Sequence, residues 1–233
     1  MKYQVITNTN AGFFSNLRTT LSTVHYCESN SIKPYIYWKD SIYNEASYGP
    51  NAWDYYFEQF YPKPGNSTYE KAKQQYFKDK NILTNIVNRL VIKDHILNKV
   101  EVFNNGLAHK GSLGVHIRLT DKLTAGSHGH WDPIEGKPVS LDIYKRHISD
   151  YLDKNNNTNI ILCTDSADAV EYMTNNFENV NYRNDVIRGN GSLSVHHHLH
   201  NESNYKKGED VLVDCLILSK CKHLIKGTSS VAV

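Results

Sequence analysis

The chain has 233 residues, a length that suits one large domain or two smaller ones with a hydrophobic core each. Its formal net charge of +2 and its four widely spaced cysteines favour neither a nucleic-acid partner nor a disulfide framework. Because the start has no signal-like apolar run and no apolar stretch reaches the roughly 18 residues of a membrane span, we expect a cytoplasmic protein.

The first residues predict a β–α–β unit. Segment 2–7 (KYQVIT) is typical of a short strand, and apolar residues at helical spacing predict a helix from Asn16 to about Asn30. A second strand is expected at 35–38, just after Pro34 ends the helical pattern. Gly12 and Asn16 frame the loop between the first strand and the helix. This order is typical of the beginning of a Rossmann-like half.

The next segment, from 40 to about 76, is rich in aromatic residues. Exposed aromatic rings can stack on sugar faces, but such a segment more often forms a satellite core under long loops. Helical spacing then predicts a helical region at 81–104, and the glycine-bearing segment 106–111 predicts a domain boundary. We therefore expect two domains, residues 1–107 and 108–233.

The second half begins with a predicted strand at 113–120. Its apolar residues alternate with polar ones, so His116 and Arg118 point to the same face. The elements expected after it are a helix at 141–153, a strand at 160–164, a helix at 168–175, a strand at 180–182, a helix at 209–221 and a strand at 223–225. Strands and helices alternate again in this half, as β–α–β–α–β–α–β.

Polar loops follow these strands, at the edge of the sheet where α/β proteins bind ligands. The loops expected to converge are Gly12–Asn16, Arg118–Lys122, Thr164–Ser166 and Thr228–Ser230. An Arg grips a phosphate with two parallel N–H bonds, and serines at a strand-to-helix turn add hydroxyl and backbone donors. The set suits a nucleotide diphosphate. The alternative is a structural ion pair that holds Arg118 with Asp121 or Asp165.

Asp214 is an acid inside an otherwise apolar helix, at 209–221. Such a carboxylate can accept hydrogen bonds from the paired N1 and N2 donors of a guanine. The alternative is a structural salt bridge to Arg118 or His116.

Other ligand-binding patterns lack support. The chain has no P-loop, no complete GxGxxG and no Asp-x-Asp pair to hold a divalent metal against a diphosphate. The histidine run at 196–200 lies in a polar loop without Cys partners, which favours a surface loop over a zinc site. We therefore expect no metal site.

A family resemblance is carried by four segments that occur in order: VHIRLTDK, ILCTDS, LHN and VLVDCLILSKCKHLIKGTSS. Together they resemble the donor-binding half of GDP-fucose fucosyltransferases, in particular the α1,6-fucosyltransferase group that includes the nodulation enzymes. The resemblance covers roughly residues 112–231, whereas the first hundred residues match mainly through the Gly12–Asn16 loop. It implies a GT-B-like α/β fold, with two Rossmann-like halves facing a cleft. Residues 1–107 would then be the acceptor side and 108–233 the donor domain.

The resemblance also implies the reaction. It is an inverting, metal-independent transfer of L-fucose from GDP-fucose to a carbohydrate hydroxyl, with no cofactor beyond the donor substrate. Guanine and phosphate contacts do not specify fucose, so a transferase for another GDP-sugar is one alternative. A catalytically inactive GDP- or glycan-binding protein is the other.

The roles implied by the resemblance follow its motifs. Arg118 would hold the β-phosphate, and Asp121 and Lys122 would lie close to the reacting sugar. The donor-binding residues implied are Gly12, Asn16, His116, Arg118, Thr164, Asp165, Asp214, Ser229 and Ser230.

The general base is less directly implied. Relatives carry a Glu a few residues after the Asp-Lys pair, and this chain has Gly126 there. The candidate bases in the same loop are His128, His130, Asp132 and Glu135. A pKa near the working pH favours one of the two histidines.

Overall fold

The computed structural model is an α/β protein, and it describes residues 2–65, 70–76, 79–105, 111–120, 139–156, 158–189 and 202–227. The chain divides into two compact units. Unit 1 contains Met1–Leu97 and Ser203–Glu209, and unit 2 contains Asn98–Glu202 and Asp210–Val233. The domain boundary at 107/108 stays a prediction, because residues 106–110 lie outside the described part. In the described ranges, no helix is long and apolar enough to cross a bilayer.

Unit 1 contains a three-stranded parallel sheet. The strands β1 (Tyr3–Ile6), β2 (Lys33–Ile36) and β3 (Glu70–Lys71) lie in the order β2-β1-β3. Helix α1 (Phe13–Ser29) connects β1 to β2, which confirms the predicted β–α–β beginning. Strand β2 begins earlier than predicted and includes Pro34, which lies in register with Gln4. A proline is tolerated there because β2 is an edge strand of the sheet.

The aromatic segment of unit 1 forms a core. Helix α2 (Trp53–Tyr56) places Trp53 and Tyr56 in the interior, where both are fully buried together with Trp38. The ring of Phe13 makes edge contacts with Trp38 and Tyr56, at centroid distances of 5.7 Å and 5.1 Å. Most of these rings therefore form the satellite core and not an open surface for stacking on sugars.

The single helical region predicted at 81–104 is two helices, α3 (Lys80–Val87) and α4 (Asp94–Asn104). The segment between them pairs with the chain after α2. Glu58 N–H donates to Val91 O at 2.9 Å, and Phe57 bridges Ile92 in antiparallel fashion. Backbone pairing with a distant segment therefore overrides the helical periodicity, which is a local signal.

Unit 2 contains a four-stranded parallel sheet in the order β6-β5-β4-β7. Its strands are β4 (Leu113–Ile117), β5 (Ile160–Thr164), β6 (Val180–Asn181) and β7 (His223–Lys226). The central strand β4 pairs with β5 on one side and β7 on the other. Each predicted strand of this half is therefore present, although β4 ends at Ile117 rather than at 120.

The two faces of β4 meet different helices. Val115 and Ile117 belong to a core that includes Tyr144 and Ile148 of α5 (Leu141–Leu152) and residues of α6 (Ala167–Asn176). The opposite face, which carries Gly114, meets Leu218 at the end of α7 (Asn204–Leu218) and Cys221 just after it. Because both faces are covered, every residue of β4 is buried.

Helix α7 begins at Asn204 and not at Glu209 as predicted. Residues 204–208 (NYKKG) are polar in sequence and resemble a loop. Tyr205, however, stacks on Tyr56 with the rings 5.7 Å apart and nearly parallel, and it is 8% exposed. Tyr205 also stacks on Tyr48, and its N–H donates to Glu45. These contacts with a distant segment stabilise the first turn of the helix.

Candidate functional site

All strands of the unit 2 sheet are parallel, so their carboxyl ends lie at one edge. Arg118 follows β4, Asp165 follows β5, and Gly227 follows β7. Arg183 lies just beyond β6. This edge therefore brings two arginines and a carboxylate to the place where an α/β sheet binds ligands.

His116 is the buried imidazole of this site. It lies in β4, in register with Cys163 of β5 and Lys226 of β7, and it is 7% exposed. Burial, with Arg118 and Lys226 adding to it, lowers the pKa of His116 from 6.5 to about 4. Its Nδ1 has no hydrogen-bond partner among the described residues. The described residues thus leave one buried nitrogen of a neutral imidazole without a hydrogen bond.

Asp165 holds the segment that follows β4. Its Oδ1 accepts from Leu119 N–H at 3.0 Å, and its Oδ2 accepts from the Thr120 hydroxyl at 2.7 Å. Thr164 Oγ1 in turn accepts from the backbone N–H of Ser166 at 3.2 Å. These bonds fix the backbone on the C-terminal side of the half-buried Arg118. The structural alternative for Arg118 was an ion pair with Asp121 or Asp165. Asp121 lies outside the described residues.

Asp214 forms a salt bridge, as the structural alternative predicted, but its cation is Arg183 and neither Arg118 nor His116. Arg183 Nη1 donates to Asp214 Oδ1 at 3.3 Å, and both side chains are largely buried. Burial raises the pKa of Asp214 to about 6, although Arg183 acts to lower it. Burial alone would lower the pKa of Arg183, but Asp214 and the neighbouring carboxylates raise it above its ordinary value.

Sequence reasoning missed Arg183, although a signal existed. Asp210 and Asp214 are four apart, so they lie on one face of α7, where two carboxylates repel. Such a pair inside an apolar helix needs a cation from another element. The expected start of the helix at Glu209 placed Asp210 in a first turn, where an acid needs no partner.

In unit 1, Asn16 organises the loop between β1 and α1. Its Oδ1 accepts from both Thr9 N–H and the Thr9 hydroxyl, at 2.8 Å and 2.9 Å. Its Nδ2 donates to the carbonyl oxygens of Thr9 and Ala11. Gly12 precedes α1, and a Cβ built there would meet nothing within 4 Å. The amide of Asn16 thus holds the loop, and the space beside Gly12 is open.

Several predicted site residues lie outside the described part of the chain: Asp121, Lys122, Gly126, His128, His130, Asp132, Glu135, Ser229, Ser230 and the histidine run 196–200. In the part that is described, no group of three or more His, Cys, Asp or Glu side chains could hold a metal ion. The four cysteines are free, and Cys27 and Cys163 are buried.

Comparison with known proteins defines the class of fold. No family model matches the chain, and no curated protein matches it by sequence. Solved structures do match along its length, and they are GT-B fucosyltransferases. The predicted α/β, GT-B-like fold is therefore confirmed.

The particular structures are two kinds of fucosyltransferase. NodZ α-1,6-fucosyltransferase co-crystallised with GDP matches with a TM-score of 0.63 and 16% identity, over 99% of this chain and 91% of that one. NodZ from Bradyrhizobium matches with the same TM-score and identity, over 99% and 90%. POFUT1 in complex with GDP matches with a TM-score of 0.56 and 10% identity, over 99% and 92%. At these identities the likeness establishes the fold.

Proposed function

We propose that this protein is a glycosyltransferase that moves L-fucose from GDP-fucose to a carbohydrate hydroxyl. The observation that carries the proposal is the likeness over 99% of the chain to fucosyltransferase structures obtained with GDP or GDP-fucose. The unit 2 sheet edge supports it, because it offers a cation for the diphosphate, and a buried imidazole and carboxylates for hydrogen bonds to the base and the ribose.

The proposed contacts with the donor fall into two groups, one for the phosphate and one for the guanine and ribose. Arg118 grips the β-phosphate, since a guanidinium offers two parallel N–H bonds to phosphate oxygens. His116 and Asp214 meet the guanine and ribose, with Thr164 and Asp165 nearby. The unused Nδ1 of His116 supports this role, because a buried nitrogen without a partner gains from a ligand hydroxyl or N–H.

The remaining members of the proposed site come from the resemblance alone. Ser229 and Ser230 complete the phosphate cradle, and Asp121 and Lys122 lie near the reacting sugar. Gly12 and Asn16 also belong to the donor site; the bonds of Asn16 support a part in shaping the loop rather than a direct contact. His128 and His130 are the proposed bases.

The proposed reaction is a single inverting displacement without a metal. The acceptor hydroxyl attacks C1 of fucose opposite the diphosphate, the base takes the hydroxyl proton, and the C1–O bond to GDP breaks. Negative charge grows on the diphosphate as it leaves, so Arg118 stabilises the transition state more than the ground state. A cation already positioned beside the diphosphate needs no reorganisation at that moment, which is why this contribution is expected to be large.

A protein that binds GDP without turnover is the second candidate, and Gly126 is the observation that favours it. Relatives place a glutamate there, and a glycine supplies no base. We also propose that the protein is cytoplasmic and that the transferred sugar is L-fucose.

The test is GDP release from GDP-fucose in the presence of candidate glycans. We expect wild-type protein to turn the donor over and Arg118→Ala to lose on the order of 10²–10³ in rate, as for loss of one transition-state donor. Arg89→Ala is the matched control, because Arg89 is paired with Glu28 in unit 1. Near-wild-type turnover in Arg118→Ala would contradict the phosphate role, and GDP binding without any turnover would favour the second candidate.

A further inference from the structure

Arg183 is a buried arginine at the centre of an ionic cluster at the carboxyl edge of unit 2, with Asp210 and Asp214 buried and Asp185 exposed. Its Nε and Nη2 donate to Asp185, and Nη2 also donates to Asp210 Oδ1 at 3.0 Å. Its Nη1 donates to the backbone carbonyl of Asp210 and to Asp214 Oδ1, at 3.5 Å and 3.3 Å. All three nitrogens of the guanidinium are therefore engaged, and the side chain is 5% exposed.

This cluster also fixes the backbone around it. Asp210 Oδ2 accepts from Ile187 N–H at 3.0 Å, and Arg188 donates to the carbonyl of Arg183 at 2.7 Å. The chain after β6 is thereby tied to the face of α7 that carries Asp214. A guanidinium with this many fixed acceptors has little rotamer freedom, so it holds the Asp214 carboxylate in one orientation.

The cluster leaves part of Asp214 unused. The hydrogen bond that Arg183 donates reaches Oδ1, and the described residues give Oδ2 no donor. The backbone carbonyl of Asp214 accepts from Cys163 Sγ, and Cys163 lies in register with His116. Asp214 therefore stands over the same strands as the imidazole with the unused nitrogen. Two buried groups with spare hydrogen-bonding capacity lie on one face of the sheet.

We propose that Arg183 is the positioning residue for nucleobase recognition, because it orients Asp214 to accept hydrogen bonds from the N1–H and 2-amino group of a guanine. This inference rests on the proposed function. A carboxylate that accepts from both donors discriminates against a base that lacks one of them, and the hydrogen bond from Arg183 holds this carboxylate in place. In support, the charge of Arg183 counteracts the tendency of burial to protonate Asp214.

The test compares GDP with inosine diphosphate, which lacks only the 2-amino group. Wild-type protein should bind GDP about tenfold or more tightly, as expected for one hydrogen bond to a charged group. Arg183→Lys keeps the positive charge but loses the fork, so we expect the GDP-to-IDP affinity ratio to fall toward one. Arg89→Lys, a matched change in a paired arginine elsewhere, should leave the ratio unchanged.

A double-mutant cycle separates positioning from a general structural role. If Arg183 acts through Asp214, then Asp214→Asn removes the preference, and adding Arg183→Lys lowers the ratio no further. If Arg183→Lys weakens GDP and IDP equally and the ratio persists, the proposal is wrong while the proposed function stands. A wild-type protein that binds neither nucleotide overturns both.

Folding of the variants is checked by circular dichroism. If Arg183→Lys does not fold, Asp210→Asn takes its place in the cycle, because it weakens the grip on Arg183 and leaves Asp214 intact. The same fall in the GDP-to-IDP ratio is then expected, and an unchanged ratio in folded Asp210→Asn protein would overturn the proposal.

Discussion

Replacing the buried His116 by Phe should change how the stability of the protein depends on pH. In the folded chain the pKa of His116 falls from 6.5 to about 4. Between these two values the unfolded chain binds more protons than the folded one, so stability falls as the pH falls through this window. From pH 7 to pH 5 the contribution of His116 shrinks by about 2 kcal/mol.

The total stability does not reveal this contribution, because Asp214 acts in the opposite direction. Its pKa is raised from 3.8 to about 6, so between these values the folded chain binds more protons. As the pH falls from 7 to 5, this carboxylate therefore adds about 1 kcal/mol of stability. The informative quantity is the difference between the His116→Phe variant and the wild type, in which Asp214 cancels.

The assay is urea unfolding at several pH values, followed by circular dichroism. The free energy of unfolding of His116→Phe minus that of the wild type should rise by about 2 kcal/mol from pH 7 to pH 5. It should be nearly flat from pH 7 to pH 8, where the imidazole is neutral in both states. A difference that does not vary with pH would refute the account of His116 as a buried neutral imidazole.

Two further predictions concern packing and metal. In Gly114→Ala the new Cβ would lie 3.1 Å from both Cys221 Cβ and Leu218 Cδ2, so we expect a loss of about 1–3 kcal/mol in urea unfolding. Gly65→Ala, where a Cβ meets nothing within 4 Å, is the control, and equal stability of the two variants would contradict the close packing of β4 against α7. GDP release from GDP-fucose should persist in excess EDTA, and a strict requirement for a divalent ion would exclude the proposed metal-free reaction.

The sequence predicts the elements of unit 2 well, because their signals are local. The alternation in 113–120 and the apolar run 160–164 identify β4 and β5, and β5 has the predicted bounds. The failures have non-local causes. Residues 91–93 leave the helical pattern because they pair with residues 56–58, at the end of α2 and just after it. Helix α7 is longer because Tyr205 stacks on Tyr56.

The candidate site shows the same division. Periodicity predicts His116 and Arg118 on one face of a strand, but β4 ends at Ile117 and Arg118 follows it. Topology places Arg118 and Asp165 after their strands, at the ligand edge. The partner of Asp214 could not be found in this way, since Arg183 is remote in sequence and lies in no periodic pattern. The acidic pair at Asp210 and Asp214 indicates that a buried cation is needed, but only the folded chain identifies it.

The central claim is that unit 2 carries a site for the GDP portion of a nucleotide sugar, with Arg118 on its phosphate. Calorimetric titration of the purified chain with GDP, without added metal, tests it most directly. The account predicts binding by the wild type, strong weakening in Arg118→Ala and no change in Arg89→Ala. A wild-type protein that does not bind GDP, or an Arg118→Ala variant that binds it equally well, would contradict the account.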